Sequence, residues 1–238
     1  LKAFAIFIAL SVFVVPSLFL TLLYFYSGSL EVSSEMMIVV STLTVITTFF
    51  ALFLFQYFQT KRDKELIFGT HFGLNLSASK SLNDILMGIL SWFLSFPVVV
   101  VVGKTMFFIL YFFGHEVTPN QVAVTQVKKA LSSPLLFTIM AINVIVLVPI
   151  LEEFLFRGCL QTWMKGKIGI LKAICLTSMI FACFHFSFAQ GLGNFELLAS
   201  LFVLSCFLGF IYEKQQSLLA SISLHAFFNA VTVAMILF

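Results

Sequence analysis

Charged side chains are scarce in this chain. Asp, Glu, Lys and Arg make up only 10% of its 238 residues, whereas 61% are hydrophobic and 32 residues are phenylalanine. A soluble domain of this composition would have little polar surface to keep it dispersed, so a soluble globular protein is excluded. The mean hydropathy of +1.12 is typical of an integral membrane protein. The net charge of +3 gives no indication of a nucleic-acid partner, and we expect none.

Two further absences narrow the fold class. The sequence has no ten-residue segments of alternating hydrophobicity, which a transmembrane β-barrel requires, so its membrane spans are predicted to be helices. Its cysteines have no paired spacing and lie in or beside apolar stretches, which predicts buried free thiols and no disulfide bonds. They are Cys159, Cys175, Cys183 and Cys206.

Long apolar stretches are what the chain has instead. Crossing a hydrocarbon core of about 30 Å takes about 20 helical residues. The stretches that reach or approach this length are 3–26, 36–59, 84–113, 134–157, 168–188, 196–212 and 216–238. The first has no small-residue cleavage site, so we interpret it as an uncleaved helix and not as a signal peptide. The fold is predicted to be all-α, a polytopic bundle of about seven transmembrane helices with longer loops at 60–83 and 114–133.

The positions of Lys and Arg predict the orientation of this bundle. If the N-terminus lies inside, the inner loops hold nine basic residues and the outer loops hold only Lys128 and Lys129, which is a strong positive-inside bias. We therefore expect the N-terminus in and the C-terminus out. Lys104, within the third span, is interpreted as a snorkelling or helix-pairing residue. The nine inner residues are Lys2, Lys61, Arg62, Lys64, Lys80, Lys165, Lys167, Lys172 and Lys214.

Ionisable and polar residues nevertheless occur inside the later spans. A charge near the middle of a bilayer costs about 3 kcal/mol by lenient scales, so such residues are functional candidates. The fourth span carries an adjacent pair of glutamates with an arginine one turn later, and the fifth and seventh spans carry a histidine each. Because all of them lie in the C-terminal half, we expect one shared site. The candidates are Glu152, Glu153, Arg157, His185, His225 and Asn229.

The spacing of these residues indicates which side chains share a helix face. Glu153 and Arg157 are four residues apart, so they are expected to form an ion pair that lowers the cost of both charges. Glu152 points about 100° away and lacks that partner, which makes it the candidate general base. Pro149, three residues earlier, is expected to open the helix and admit water.

The two histidines are each paired with a residue one turn away. His225 and Asn229 are four apart, and both can donate hydrogen bonds to a developing oxyanion. Phe181 and His185 have the same spacing, so the aromatic ring and the imidazole are expected on one side of the fifth span.

Three motifs carry a resemblance to a known family. Glu-Glu-Phe-Leu-Phe-Arg at 152–157, Phe-x-x-x-His at 181–185 and His-x-x-x-Asn at 225–229 occur in this order on separate spans. They resemble the motifs of the CAAX prenyl protease 2 family, also called CPBP or Abi, which includes bacteriocin-immunity and lysostaphin-resistance proteins. The resemblance divides the chain into N-terminal transmembrane helices and loops at 1–133 and a catalytic core at 134–238.

The resemblance implies hydrolysis of peptide bonds of a membrane-associated peptide or protein within the lipid bilayer. Glu152 and His185 would activate a water, Glu153 and Arg157 would hold that arrangement, and His225 and Asn229 would stabilise the oxyanion. No cofactor is expected. We expect a multi-pass protein of a bacterial inner membrane.

Other chemistries remain open at this stage. Two histidines and a glutamate are a possible Zn²⁺ set with a fourth position for water, although the sequence has no His-Glu-x-x-His. A Gly-x-Ser-x-Gly turn and paired intramembrane aspartates are both missing, which argues against serine and aspartic proteases. A non-catalytic immunity-type protein or a transporter could use the same polar cavity, since carboxylates and histidines also build proton relays.

Overall fold

The computed structural model describes residues 34–63, 78–115 and 122–237, together with the isolated positions 5 and 9. In these segments it contains helices and turns and no strand, which agrees with the predicted all-α class. The predicted first span at 3–26 lies outside the described residues apart from positions 5 and 9. The helices are α1 (Ser34–Asp63), α2 (Ala78–Phe112), α3 (Val122–Ala130), α4 (Pro134–Ile168), α5 (Ile170–Cys183), α6 (Gly193–Gln215) and α7 (Leu218–Leu237).

Four of these helices, α2, α4, α6 and α7, are long and apolar enough to cross a membrane. They correspond to the third, fourth, sixth and seventh predicted spans. Helix α5 is only 14 residues long, about 21 Å at 1.5 Å per residue, and the described apolar part of α1, Ile38–Leu52, is also short. The count of seven spans and the orientation of the termini therefore stay predictions.

The predicted fifth span, 168–188, is longer than the helix that forms. Helix α5 ends at Cys183, and a loop with one 3₁₀ turn, Phe188–Gln190, leads to α6. Asn194 stabilises this loop because its amide accepts from the Ser187 N–H and donates to the Ser187 and Gly191 carbonyls. His185 thus lies just after a helix end. The predicted loop at 114–133 was also incorrect in part, since it contains α3.

Helix α4 is continuous but not uniformly α-helical. It begins at Pro134, where the missing N–H costs nothing, and it contains π-helical segments at Asn143–Leu147 and Phe154–Gln161. It ends at Gly169, whose φ of 83° is a conformation that glycine adopts without strain. The six residues between the two π-helical segments, Val148–Glu153, include Pro149 and both glutamates.

The C-terminal helices surround the site. Helix α2 packs along both α6 and α7, and α5 packs along α6, while α4 contacts α5, α6 and α7 through its π-helical and neighbouring turns. One core cluster joins Leu155 and Phe156 of α4 to Phe181, Tyr212 and Leu218. The four cysteines all lie in described segments and are free thiols, as predicted, but the prediction that they are buried was wrong. Cys175 and Cys183 are exposed on the apolar outer face, and Cys159 and Cys206 are partly buried.

Polar side chains within the apolar helices mostly bond to their own helix. Thr42, Thr44, Ser91, Ser223 and Thr232 each donate to the carbonyl four residues earlier, at 2.6–2.9 Å. Such bonds satisfy a hydroxyl where no water is present, so these residues carry no functional implication.

Candidate functional site: a carboxylate–histidine cluster beside a cavity

The predicted ion pair between Glu153 and Arg157 is present. Arg157 Nη1 lies 2.9 Å from Glu153 Oε1, and both side chains are fully buried. Both residues stand where the α-helical turn of α4 passes into its second π-helical segment. Because a carboxylate and a guanidinium are taken out of water together, neither charge is left uncompensated.

Arg157 also contacts two other helices. Its Nη2 donates to the Ser205 carbonyl at 3.1 Å and to Ser205 Oγ at 2.6 Å, both on α6. Its guanidinium carbon lies 4.9 Å from the centre of the Phe181 ring on α5, a cation–π distance. The ring of Phe181 is fully buried, and it also lies 4.8 Å from the His185 ring and 6.0 Å from the His225 ring. Phe181 is therefore the apolar centre around which the site is arranged.

His225 on α7 connects the two glutamates. Its Nδ1 lies 2.9 Å from Glu153 Oε1, and its Nε2 lies 3.8 Å from Glu152 Oε2. An ionised carboxylate paired with an arginine accepts hydrogen bonds and cannot donate them, so we assign the proton to Nδ1 of His225. The imidazole thereby has a fixed orientation, with Nε2 directed towards Glu152.

His185 approaches Glu152 from the other side. Its Nδ1 lies 2.9 Å from the Phe181 carbonyl oxygen, so this nitrogen is the donor, and in the neutral ring Nε2 carries the lone pair. The Nε2 atom lies 3.9 Å from Glu152 Oε1, too far for a hydrogen bond and suitable for two groups that share a water. Glu152 is 17% exposed, whereas Glu153 is fully buried.

Asn229 lies one turn after His225, and its amide Nδ2 donates to the Val144 carbonyl at 2.9 Å. Val144 belongs to the first π-helical segment of α4, where the change of hydrogen-bond register leaves carbonyls available to side chains. One amide hydrogen of Asn229 is thus bonded to the Val144 carbonyl of α4, and this contact does not use the second amide hydrogen.

These side chains meet at one cavity of about 680 Å³. Glu152, His185, His225 and Asn229 line it, and most of the remaining wall is apolar and comes from α2, α6 and α7. Glu153 is an exception to the expected arrangement, because it is fully buried and does not belong to the cavity wall. Lys104 also lines the cavity and lies 3.5 Å from Glu196 of α6, so its interpretation as a helix-pairing residue agrees with the structure.

The zinc alternative can be tested against the donor geometry. Ligand atoms bound about 2.0–2.1 Å from a tetrahedral Zn²⁺ lie about 3.4 Å from one another. The two imidazole Nε2 atoms lie 3.8 and 3.9 Å from the Glu152 oxygens. In the described part of the chain, no three His, Cys, Asp or Glu side chains are arranged to hold a metal ion. The nitrogen–oxygen separations exceed the spacing of zinc ligands by about 0.4–0.5 Å, and we derive no step through a zinc ion.

The sequence did not identify Ser205 as a member of this cluster. A lone serine in an apolar helix usually bonds to its own backbone, so its type and position carry no signal. The available clue was the arginine: a buried guanidinium has five N–H groups and needs more acceptors than one glutamate supplies.

The fold and the site together define a class of protein. It is a helical membrane protein in which carboxylate and imidazole groups meet at a cavity within the apolar bundle. Residues 134–231 match the family model described as type II CAAX prenyl endopeptidase Rce1-like, which confirms the resemblance drawn from the three motifs. At this coarse level, the match favours a membrane-embedded peptidase of the CAAX type.

A curated relative extends the comparison to a bacterium. The UPF0177 protein YaiF of Lactococcus lactis subsp. lactis (strain IL1403) is 35% identical over 120 residues, which are 50% of this chain and 49% of that protein. The chain therefore spans about half the length of this relative. No solved structure matches the chain.

Proposed function

We propose that this protein is an intramembrane endopeptidase that hydrolyses peptide bonds of membrane-associated substrates by a glutamate-activated water. The observation that carries the proposal is the position of the Glu152 carboxylate. It lies on the wall of an apolar cavity and faces the Nε2 atoms of both His185 and His225 at 3.8–3.9 Å. A carboxylate with two imidazoles beside a cavity can activate a water molecule and transfer its proton in a water-poor environment.

The first step is the activation of water. The water lies between Glu152 Oε1 and His185 Nε2, whose 3.9 Å separation allows it to bond to both groups. Glu152 accepts a proton while the water oxygen forms a bond to the substrate carbonyl carbon. His185 is the partner that orients the water, because its Nδ1 bond to the Phe181 carbonyl leaves the Nε2 lone pair directed at it.

The tetrahedral oxyanion is stabilised from α7. His225 donates from Nε2, which requires the imidazolium form because its Nδ1 proton is used by Glu153. Asn229 supplies its second amide hydrogen, since the first is bonded to Val144. The proton held by Glu152 then passes to the leaving nitrogen, the C–N bond breaks, and an acid and an amine result.

The substitution Glu152→Gln tests the proposal, since it keeps the shape of the side chain and removes its basicity. Purified protein in liposomes would be assayed with two quenched-fluorescent peptides that differ only in a farnesyl group on the cysteine fourth from the C-terminus. Proteomics of membrane fractions would search for other substrates. We expect the wild type to cleave and Glu152→Gln to lose cleavage.

Glu196→Gln is the matched control for this experiment. Glu196 is a second carboxylate on the cavity wall, 18% exposed compared with 17% for Glu152, and its partner is Lys104 and not a histidine. We expect its kcat to stay within a few-fold of wild type. Full activity in Glu152→Gln would exclude Glu152 as the base. A wild-type protein that cleaves no membrane peptide would favour the immunity or transport alternative.

A further inference from the structure

Helices α4 and α6 contact each other through Arg157 and Ser205, behind the cavity. Arg157 donates three hydrogen bonds among the described residues, and Ser205 accepts two of them, through its carbonyl and its Oγ. The Nε atom of Arg157 has no partner there. Ser205 is fully buried, 48 residues away in sequence, and outside all three motifs. The guanidinium packs on the Phe181 ring, and its hydrogen bonds go to this one serine and to Glu153.

We propose that Ser205 is a positioning residue for the hydrolysis, and this inference rests on the function proposed above. Its hydroxyl accepts a charge-assisted hydrogen bond of 2.6 Å from Arg157 Nη2, slightly shorter than the usual range of about 2.7–2.9 Å for such bonds. The bond holds the planar guanidinium so that Nη1 remains on Glu153 Oε1 at 2.9 Å. The same Glu153 oxygen holds His225 Nδ1.

The consequence is a continuous series of contacts from α6 to the reacting groups. Ser205 fixes Arg157, Arg157 fixes Glu153, and Glu153 fixes the imidazole of His225, whose Nε2 faces Glu152. Loss of the hydroxyl leaves only the backbone carbonyl on Nη2, so the guanidinium can turn and shift its partner. A displacement of about 1 Å at reacting groups can reduce a rate by about 10²-fold.

The test compares Ser205→Ala, Ser205→Thr and Ser95→Ala by steady-state kinetics in liposomes. Ser95 is the matched control, because it is also fully buried and its hydroxyl donates only to the Trp92 carbonyl of its own helix, at 3.4 Å. We expect Ser205→Ala to lower kcat at least 10-fold with KM within about two-fold. We expect Ser205→Thr, which keeps the hydroxyl, to recover most of that loss, and Ser95→Ala to retain kcat.

A second measurement does not depend on catalysis. Histidine side-chain ¹⁵N NMR of His225, which is bonded to Glu153, reports the ion-pair geometry directly. We expect the His225 ring signals to shift in Ser205→Ala and to stay in place in Ser95→Ala. If Ser205→Ala does not fold, the comparison is made with Ser205→Cys, which keeps the size of the side chain and weakens its acceptor.

The outcomes separate this inference from the proposed function. An unchanged kcat and unchanged His225 signals in a folded Ser205→Ala protein would overturn the positioning role. So would an equal loss of kcat in Ser95→Ala, since a general loss of packing would then explain both. If the wild type has no peptidase activity, the proposed function fails, and the NMR comparison still decides whether Ser205 orients the cluster.

Discussion

Glu153 and Arg157 show how a charged pair is accommodated at the scale of single residues. The ion pair is fully buried, and each member has a further partner, His225 for the glutamate and Ser205 for the arginine. Removal of one member alone leaves an uncompensated buried charge, although the intact pair adds little net stability because both charges lose their hydration. The pair thus links the stability of the helix packing to the orientation of His225.

The substitution Arg157→Ala tests this link. It leaves Glu153 buried without its cation, so we expect a loss of about 3–5 kcal/mol in the free energy of unfolding, together with loss of activity. The measurements are thermal unfolding in detergent and cleavage in liposomes. Lys104→Ala is the control: Lys104 Nζ lies 3.5 Å from Glu196 Oε1, and the two side chains are 61% and 18% exposed, so we expect a change of at most about 1 kcal/mol. Normal activity and stability in Arg157→Ala would show that the pair has no role.

The two histidines provide a test of water activation without a metal. In the proposed scheme His185 orients the water and His225 donates to the oxyanion, and loss of one oxyanion donor costs about 10²–10³ in rate. We expect His225→Ala to keep its fold and a small residual rate. We also expect no stoichiometric zinc by elemental analysis and resistance to chelators. Zinc at one equivalent, with activity lost on stripping and restored by its return, would instead support the metal alternative.

At the scale of elements, helix α4 has the central place. Its two π-helical segments stand on either side of Pro149 and the glutamates, so the turn that carries them is set off from the regular helix. Pro149 was predicted to open the helix at this point. The irregularity takes the form of the wider π-helical turns before and after Pro149 and the glutamates. Asn229 donates to the Val144 carbonyl in the first of these segments. Irregular backbone at membrane depth is tolerated where it is enclosed by protein or lines a cavity.

The packing of α2 against α7 depends on a glycine. A Cβ at Gly88 would overlap the Ala220 carbonyl oxygen and lie 2.9 Å from Ser223 Cβ, and the backbone oxygen cannot move aside. We expect Gly88→Ala to lower the free energy of unfolding by about 1–3 kcal/mol. Gly166→Ala is the control, since a Cβ there meets nothing within 4 Å and the helix gains up to about 1 kcal/mol. Thermal unfolding of both variants checks this, and equal stability would refute close packing at Gly88.

At the scale of the whole molecule, the outer surface is apolar. Among the described residues, large hydrophobic side chains such as Phe93, Phe112, Leu135 and Leu171 are well exposed, while a set of polar and charged side chains that includes Glu153 and Arg157 is buried inside the bundle. A protein with this inverted distribution needs hydrocarbon around it, so the surface agrees with insertion in a bilayer.

The orientation in that bilayer is a prediction that labelling can test. Single cysteines would replace Lys129 and Lys167, one at a time, in a variant whose native cysteines are changed to alanine. Both lysines are exposed, and they lie at the ends of α3 and α4. From the positive-inside bias we expect a membrane-impermeant maleimide to label Lys129→Cys in intact cells and Lys167→Cys only after permeabilisation. The opposite labelling pattern would show that the bundle has the reverse orientation in the membrane.

Several features of this protein follow from the sequence alone, because they depend on local properties of the chain. Apolar length predicts membrane helices α2, α4, α6 and α7 without knowledge of their neighbours. Helical spacing predicts the pair Glu153–Arg157, since residues four apart share a face. The high cost of polar groups in hydrocarbon identifies His185, His225 and Asn229, and the motifs indicate the family that the comparison supports.

The tertiary structure decided the features that depend on how helices cross. Ser205 meets Arg157 from 48 residues away, and His225 meets Glu153 from 72 residues away, at distances set by the packing of α6 and α7 against α4. Spacing within one helix carries no information on these partners. For the same reason the sequence could not place Glu153 behind His225 while Glu152 lines the cavity, because which of two adjacent residues faces a cavity depends on the rotation of their helix against its neighbours.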